Sequence, residues 1–284
     1  MNITFAHIIY TALEYFLVYS FLGWCTEVAY QAIAKGLIIN RGFLNGPICP
    51  IYGFGVIAVF LMLEKSGEGE LNEQNALEVF IFGVVLSTAI ELFGGWLLDK
   101  LFHARWWDYS KKPFNLKGYI CLEFSIIWGL GILVVVRAVN PMIMHILGLV
   151  PHKIGWIFIV IFSATFIADI IVSVMVMLGL NKRMAEIDEM RKRMRVVSND
   201  LSERIATRAM DTAQKVDEAK ADYETRRQEF EAKKKELALR LRKSRHFGSG
   251  RLLRAFPDMQ HRDYAELIEM LRQQLSEFDT DDLT

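Results

Sequence analysis

Five apolar stretches, each near the length that crosses a bilayer, constrain this chain more than any motif it carries. They lie at 8–34, 48–64, 77–98, 118–139 and 154–180, and roughly 20 predominantly apolar residues are needed to cross about 30 Å of hydrocarbon. Lipid offers the backbone no hydrogen bonds, so such stretches must close their own as helices. Charge follows the same division: the first 180 residues hold 22 Lys, Arg, Asp and Glu, and the remaining 104 hold 44. All six Trp and 17 of the 19 Gly precede residue 181, which suits membrane helices with interfacial anchors. A water-soluble single domain is excluded. The expected fold class is all-α: a polytopic helical membrane protein with five spans (1–180), a cytosolic helical or coiled-coil stalk (181–247), and a short C-terminal helix with an acidic tail (251–284).

The connectors alternate in charge. Residues 35–47 carry Lys35 and Arg41, 65–76 carry Glu68, Glu70 and Glu73 against Lys65, and 99–117 carry five Lys and Arg. The positive-inside bias puts the first and third connectors in the cytosol with the tail, which opens on Lys182 and Arg183, and leaves the N-terminus outside. Residues 1–12 lack the basic n-region of a secretory signal, so the first helix is expected to be retained. The 33 basic and 33 acidic residues balance, and no nucleic-acid partner is expected. Cys25, Cys49 and Cys121 have neither CxxC nor His-rich spacing, so they read as small apolar residues, with no metal site.

Residues 181–247 contain no Gly or Pro and as helix would extend on the order of 100 Å. Ser198, Asn199 and Asp200, with Glu203 following, are capping residues, so the stalk is expected to stop near 197 and restart. The seam of the second piece (Leu201, Ile205, Ala209, Thr212, Val216, Ala219, Tyr223, Arg227, Phe230, Lys234, Leu237, Leu241) steps by about 3.6 residues, and it suits self-association, folding back or a partner helix. Beyond the Gly248, Ser249, Gly250 hinge, Leu267, Ile268, Leu271 and Leu275 line a last helix, about 258–278, before the acidic end Asp279 to Asp282.

Ionisable residues inside spans cost about 2.5–3.5 kcal/mol each by the lower scales and are functional candidates. Glu27, Glu91 and Glu123 fall at one depth, roughly 8–10 Å below the inner surface at 1.5 Å per residue. Asp169 is expected nearer the midplane, continuing a pathway outward. Carboxylates crowded in low dielectric repel unless protonated or paired. Arg41 is the preferred partner of Glu27 through a two-pronged bridge, while Asn45, Tyr52, Tyr109 and Asn115 supply orienting hydrogen bonds. Purely structural charge pairs are the alternative, and acid–base chemistry on lipid-linked substrates by these carboxylates and Arg41 is a distant third.

The segment NRGFLNGPICPIYGFG (40–55) is too irregular for a plain helix start and reads as a re-entrant element at the inner face, or as an ordinary loop. FLNGPIC (43–49) is echoed by FNLKGYIC (114–121), each opening an outward-running span, as in a parallel repeat. WWDYSKKPFN (106–115), with Asp108, closes the pocket from the cytosol. There is no P-loop, GxSxG or HExxH, so no catalytic residue and no cofactor is expected.

The runs GWCTE (23–27), NRGFLNGPICPIYGFG, Glu91 with Gly95, WDYS (107–110), PFNLKGYICLEFSIIWG (113–129) and RLLRAFPDM (251–259) resemble the putative type IV ABC-transporter permease family of bacterial integral membrane proteins. The resemblance implies the bacterial cytoplasmic membrane and a permease with a separate ATPase subunit, although no EAA-type coupling motif or fused nucleotide-binding domain is present. The expected function is a permease-like protein whose inner-leaflet pocket (Glu27, Arg41, Asn45, Tyr52, Glu91, Asp108, Tyr109, Asn115, Glu123) takes a polar or cationic solute or a lipid head group. The alternative is a membrane-anchored scaffold whose helical tail recruits partners or self-associates, with membrane lipids as neighbours in either case.

Overall fold

A computed structural model describes residues 3–36, 38–65, 75–206 and 213–281. The helices are α1 (Ile3–Lys35), α2 (Pro50–Lys65), α3 (Ala76–Phe102), α4 (Leu122–Val134), α5 (Asn140–Gly148), α6 (His152–Ala206), α7 (Ala213–Lys243), α8 (Ser249–Ala255) and α9 (Ala265–Asp281). A π-helical turn, Val135–Val139, joins α4 to α5, so one apolar helix runs from Leu122 to Gly148, past the 139 expected from the pattern. The chain forms two compact units, 1–174 with 255–259, and 175–254 with 260–284.

Among the described residues, four helices are long and apolar enough to cross a membrane: Ala6–Ile33, Ala76–Phe102, Leu122–Gly148 and His152–Asp200. The second expected span appears as the shorter α2, of 16 residues. In the four long helices the most apolar windows have mean hydropathy between 1.4 and 2.5, yet only 11–33% of each window is buried within the protein. Side chains such as Phe93, Ile157, Ile161 and Phe162 point outward. An outward apolar surface of this extent requires lipid around it, and the chain is an all-α membrane protein.

The first unit packs as two helical hairpins, α1 with α2 and α3 with α4. Glycine sets the closeness of each. A Cβ on Gly53 would come within 2.6 Å of the Phe16 carbonyl, and one on Gly129 would overlap Val84 and Phe80. Cys49 and Cys121, the repeat's matching positions, each stand immediately before a helix, α2 and α4. Tyr15, Tyr19, Val56, Val59, Phe60, Val79 and Val136 form a common core across α1, α2, α3 and the π turn. Within it the Tyr19 hydroxyl donates to Asn140 Oδ1 at 3.0 Å, and that of Tyr15 to the Met144 sulfur.

In the second unit α6 does not stop near 197. It continues through Ser198, Asn199 and Asp200 to Ala206, because residues with cap preferences are tolerated inside a helix and no Pro interrupts it there. Ala209 and Thr212 of the expected seam lie outside the described residues, as do the loop glutamates Glu68, Glu70 and Glu73. Phe230, Leu237 and Leu241 of α7 are buried, as are Leu267, Ile268 and Leu271 of α9, and α7 packs on α9. Arg191 ties α6 to α9 through Glu266 at 2.6 Å. The last helix starts at Ala265 rather than 258, where the amides of Asp263 and Tyr264 donate to His261 Nδ1. Gly248 (φ +97°) and Gly250 form a tight turn: the Gly250 amide donates to Ser244 Oγ at 2.9 Å, and a Cβ there would overlap the Leu241 carbonyl.

Candidate functional site

Glu27 and Glu91 come from the two hairpins. The Tyr52 hydroxyl donates to Glu27 Oε1 at 2.7 Å, and Arg41 Nε stands 3.7 Å from Glu27 Oε2 with both side chains about a quarter exposed. The ion pair is single-pronged, not the bidentate bridge expected. The Arg41 guanidinium also lies over the Tyr30 ring, 5.4 Å from its centroid, a cation–π contact that competes for its orientation.

Glu91 is 8% exposed. Its Oε1 accepts from the Tyr109 hydroxyl at 3.1 Å, while Oε2 is buried without a partner. The Trp128 indole is in hydrogen-bonding reach of the same carboxylate, and Glu27 is near enough to repel it. Trp128 also meets the Tyr52 ring edge-on at 5.6 Å. A continuous chain of contacts thus runs Arg41, Glu27, Tyr52, Trp128, Glu91, Tyr109. Burial, with the Glu91 carboxylate beside it, pushes the Tyr109 hydroxyl well above the usual phenol range, so it remains a donor. Its ring stacks on Phe124 at 4.8 Å.

Other expected site residues have different surroundings. Glu123 is half exposed and bound to Lys112 at 2.8 Å; that hydrogen bond holds the Lys112 ammonium above its ordinary range. Asp108 accepts from the Ser110 amide and hydroxyl, both at 2.9 Å. Asn115 donates to the carbonyls of Ser110 and Lys112 and accepts from the Gly118 amide. These two side chains shape the 103–121 segment, where the short ladder of 115–116 with 120–121 forms. Gly118 (φ +75°) leaves no room for a Cβ beside Asp108 Oδ1.

Asp169 serves the 38–49 segment. Its Oδ1 accepts from the Asn45 amide (3.1 Å) and side chain (3.0 Å), and Oδ2 from the Gly46 amide (2.6 Å), while Ser173 Oγ donates to Oδ1 at 3.1 Å. Asn40 closes the other side, accepting from Trp24 Nε1 and donating to the Asn45 carbonyl. The irregular backbone of this segment is thereby hydrogen-bonded by protein groups.

Three contributors were not expected from the sequence: Trp128, Asn40, and the cluster at the end of α3. There Asp99 Oδ2 accepts from the Tyr119 hydroxyl at 2.5 Å and from Arg105 Nε at 3.4 Å. That carboxylate raises the Tyr119 hydroxyl above its usual range. Asp99 ends a glycine-rich turn of α3, and Gly95 gives Tyr119 and Trp107 room to pack. A broken GG-x-x-x-D pattern on an otherwise apolar helix was the available signal. Phe43 packs on Phe102 and Trp106, and Trp106 meets Phe256 edge-on at 4.8 Å.

The second unit has an open groove of about 570 Å³ between α6 and α7, lined among others by Lys182, Arg183, Glu186, Lys233 and Glu236. The Arg240 hydrogen bond, reinforced by Lys233 and Arg183, holds Glu236 below the usual carboxylate range. Among the described residues no group of three or more His, Cys, Asp or Glu is arranged to hold a metal ion.

The family model described as Putative ABC-transporter type IV matches residues 14–174, more than half of the chain. No curated protein and no solved structure matches it.

Proposed function

The chain belongs to this type IV ABC-transporter family, and on that premise we propose that it is a permease-like protein whose Glu27–Glu91 cluster holds a small polar or cationic solute or a lipid head group. One observation carries the reading: two carboxylates from different apolar helices face one aromatic bridge, Tyr52 with Trp128, and one Glu91 oxygen is buried with no partner. Ionisable groups kept at such cost in a membrane helix are functional candidates, and an unpartnered buried oxygen leaves an acceptor for a ligand. Arg41 neutralises Glu27 or meets an anionic ligand group, Tyr109 orients Glu91, and Asn45 with Asp169 fixes the 38–49 segment beside them. Glu123 with Lys112, Asp108 and Asn115 form the rim.

In this reading α2 is the fifth crossing, shortened because the 38–49 segment covers part of the depth. The N-terminus is outside, and the tail is in the cytosol of a bacterial cell, as the basic connectors favour. Transport draws energy from a separate ATPase subunit. The scaffold alternative has its own support, since the second unit has a buried core of its own and offers helices for a partner or a second copy.

The test is purification of the full-length protein in mild detergent from a cell that expresses it, followed by native mass spectrometry. A retained lipid or solute, with an ATPase subunit in fixed ratio, is the expected result. A bare polypeptide whose tail alone captures cytosolic protein would shift the assignment to the scaffold.

A further inference from the structure

Glu91 stands out because its charge lacks a counter-ion. Among the described residues no ion pair includes it, and the nearby Arg41 is engaged with Glu27. It is buried, with a second carboxylate nearby and only the hydrogen bonds of Tyr109 and Trp128 to set against that. Glu27 on α1 carries the same charge. Tyr52 on α2 donates its hydrogen bond to Glu27, and Trp128 and Tyr109 offer only neutral dipoles. Thr88, one turn earlier on the same helix, has its Oγ1 buried and likewise without a partner.

An uncompensated carboxylate buried beside another carboxylate is costly, and such groups take up a proton instead. The neutral acid fits each contact. Its carbonyl oxygen, Oε1, accepts from the Tyr109 hydroxyl, and its hydroxyl oxygen, Oε2, is the buried unpartnered atom one turn from Thr88.

We propose that Glu91 is a proton-binding site, and that a proton and a cationic ligand exchange on it. The step is one protonation: the carboxylate takes a proton from water to become the carboxylic acid, and releases it to water when a ligand's positive charge replaces it, so the net charge of the site is unchanged. The exchange half of this inference rests on the pocket reading above; the proton half does not.

Two readouts on the full-length protein in lipid nanodiscs test it. Dicyclohexylcarbodiimide, a hydrophobic reagent that attacks protonated carboxyls, is expected to label Glu91. Peptide mapping of the wild type locates the label, so the assignment does not depend on a variant that folds. Labelling should fall as pH rises and be equal in sodium chloride and choline chloride. Infrared difference spectra between acid and alkaline buffer should show the carbonyl stretch of a carboxylic acid, lost in Glu91→Gln and kept in Glu27→Gln. Absence of that band at every pH overturns the proposal, as does protection of Glu91 by sodium, which would assign an alkali ion. If the band is absent while ligand retention still needs Glu91, only the proton is lost. If the band is present and no ligand is retained, only the pocket is lost.

Discussion

Tyr52 on α2 donates a 2.7 Å hydrogen bond to Glu27 on α1, and Gly23, one turn before Glu27, gives the Tyr52 ring the space to do so. A Cβ at Gly23 would overlap the ring at its Cβ and Cγ. The hydrogen bond and the close approach are therefore separable by mutation.

Tyr52→Phe removes the donor and keeps the ring, so it is expected to cost about 1.5–3 kcal/mol, the range for a hydrogen bond to a charged group. Gly23→Ala forces the ring aside and is expected to cost a similar 1–3 kcal/mol through overpacking. Reversible unfolding of both variants in mixed micelles measures this; a neutral Gly23→Ala would show that the helices are not held this close.

Asp169→Asn should loosen the 38–49 segment without unfolding the helices. The neutral amide accepts less strongly from the amides of Asn45 and Gly46, and losing about 1.5–3 kcal/mol of charge-assisted bonding corresponds to roughly 10–100-fold faster amide exchange there. Hydrogen exchange read by mass spectrometry should show the change confined to peptides covering Asn45 and Gly46. Unchanged exchange would mean that Asn40 alone fixes the segment.

Phe256→Ala removes an edge-to-face partner of Trp106. The aromatic pair is worth about 0.5–1.5 kcal/mol beyond area, so exchange in peptides spanning 103–109 should rise several-fold while the α7 and α9 peptides stay protected. Equal exchange in both proteins would remove Phe256 from the first unit.

Leu271→Ala opens a cavity in the second unit, where the residue is fully buried, at about 2–5 kcal/mol. Gly250→Ala should be at least as damaging, since the Leu241 carbonyl occupies the space a side chain would need. Limited proteolysis should cut both variants between α7 and α9 sooner than the wild type. Intact α7 and α9 in Gly250→Ala would mean the turn adapts.

The pairing of Glu27 with Arg41 was legible because a carboxylate in an apolar window needs a cation within reach, and Arg41 and Lys117 were the candidates nearest the carboxylates in sequence. Tyr109 was read as a pocket residue, but its bond to Glu91 was not foreseen, since the sequence separates the two by 18 residues and a helix end. Trp128 was not legible: in an apolar helix an indole has the same signature whether it faces lipid or a carboxylate, and only the packing of α4 on α3 decides. Asp169 was read by depth along its helix, but its bonds go to backbone amides more than 120 residues earlier in the chain, which helical rise cannot foresee. The run from Ser198 to Asp200 failed as a helix stop because capping is a preference worth little against a continuing helix, whereas a Pro there would have cost about 3 kcal/mol.

The most direct test of the central claim compares native mass spectra of wild type, Glu27→Gln, Glu91→Gln and, as a control on the exposed surface of α7, Glu224→Gln. The account predicts a small-molecule or lipid adduct on wild type and Glu224→Gln that is lost or reduced at least tenfold in both Glu27→Gln and Glu91→Gln, with all four proteins equally helical. An adduct of equal occupancy in all four would contradict it, leaving the two carboxylates as helix-locking charges rather than a ligand site.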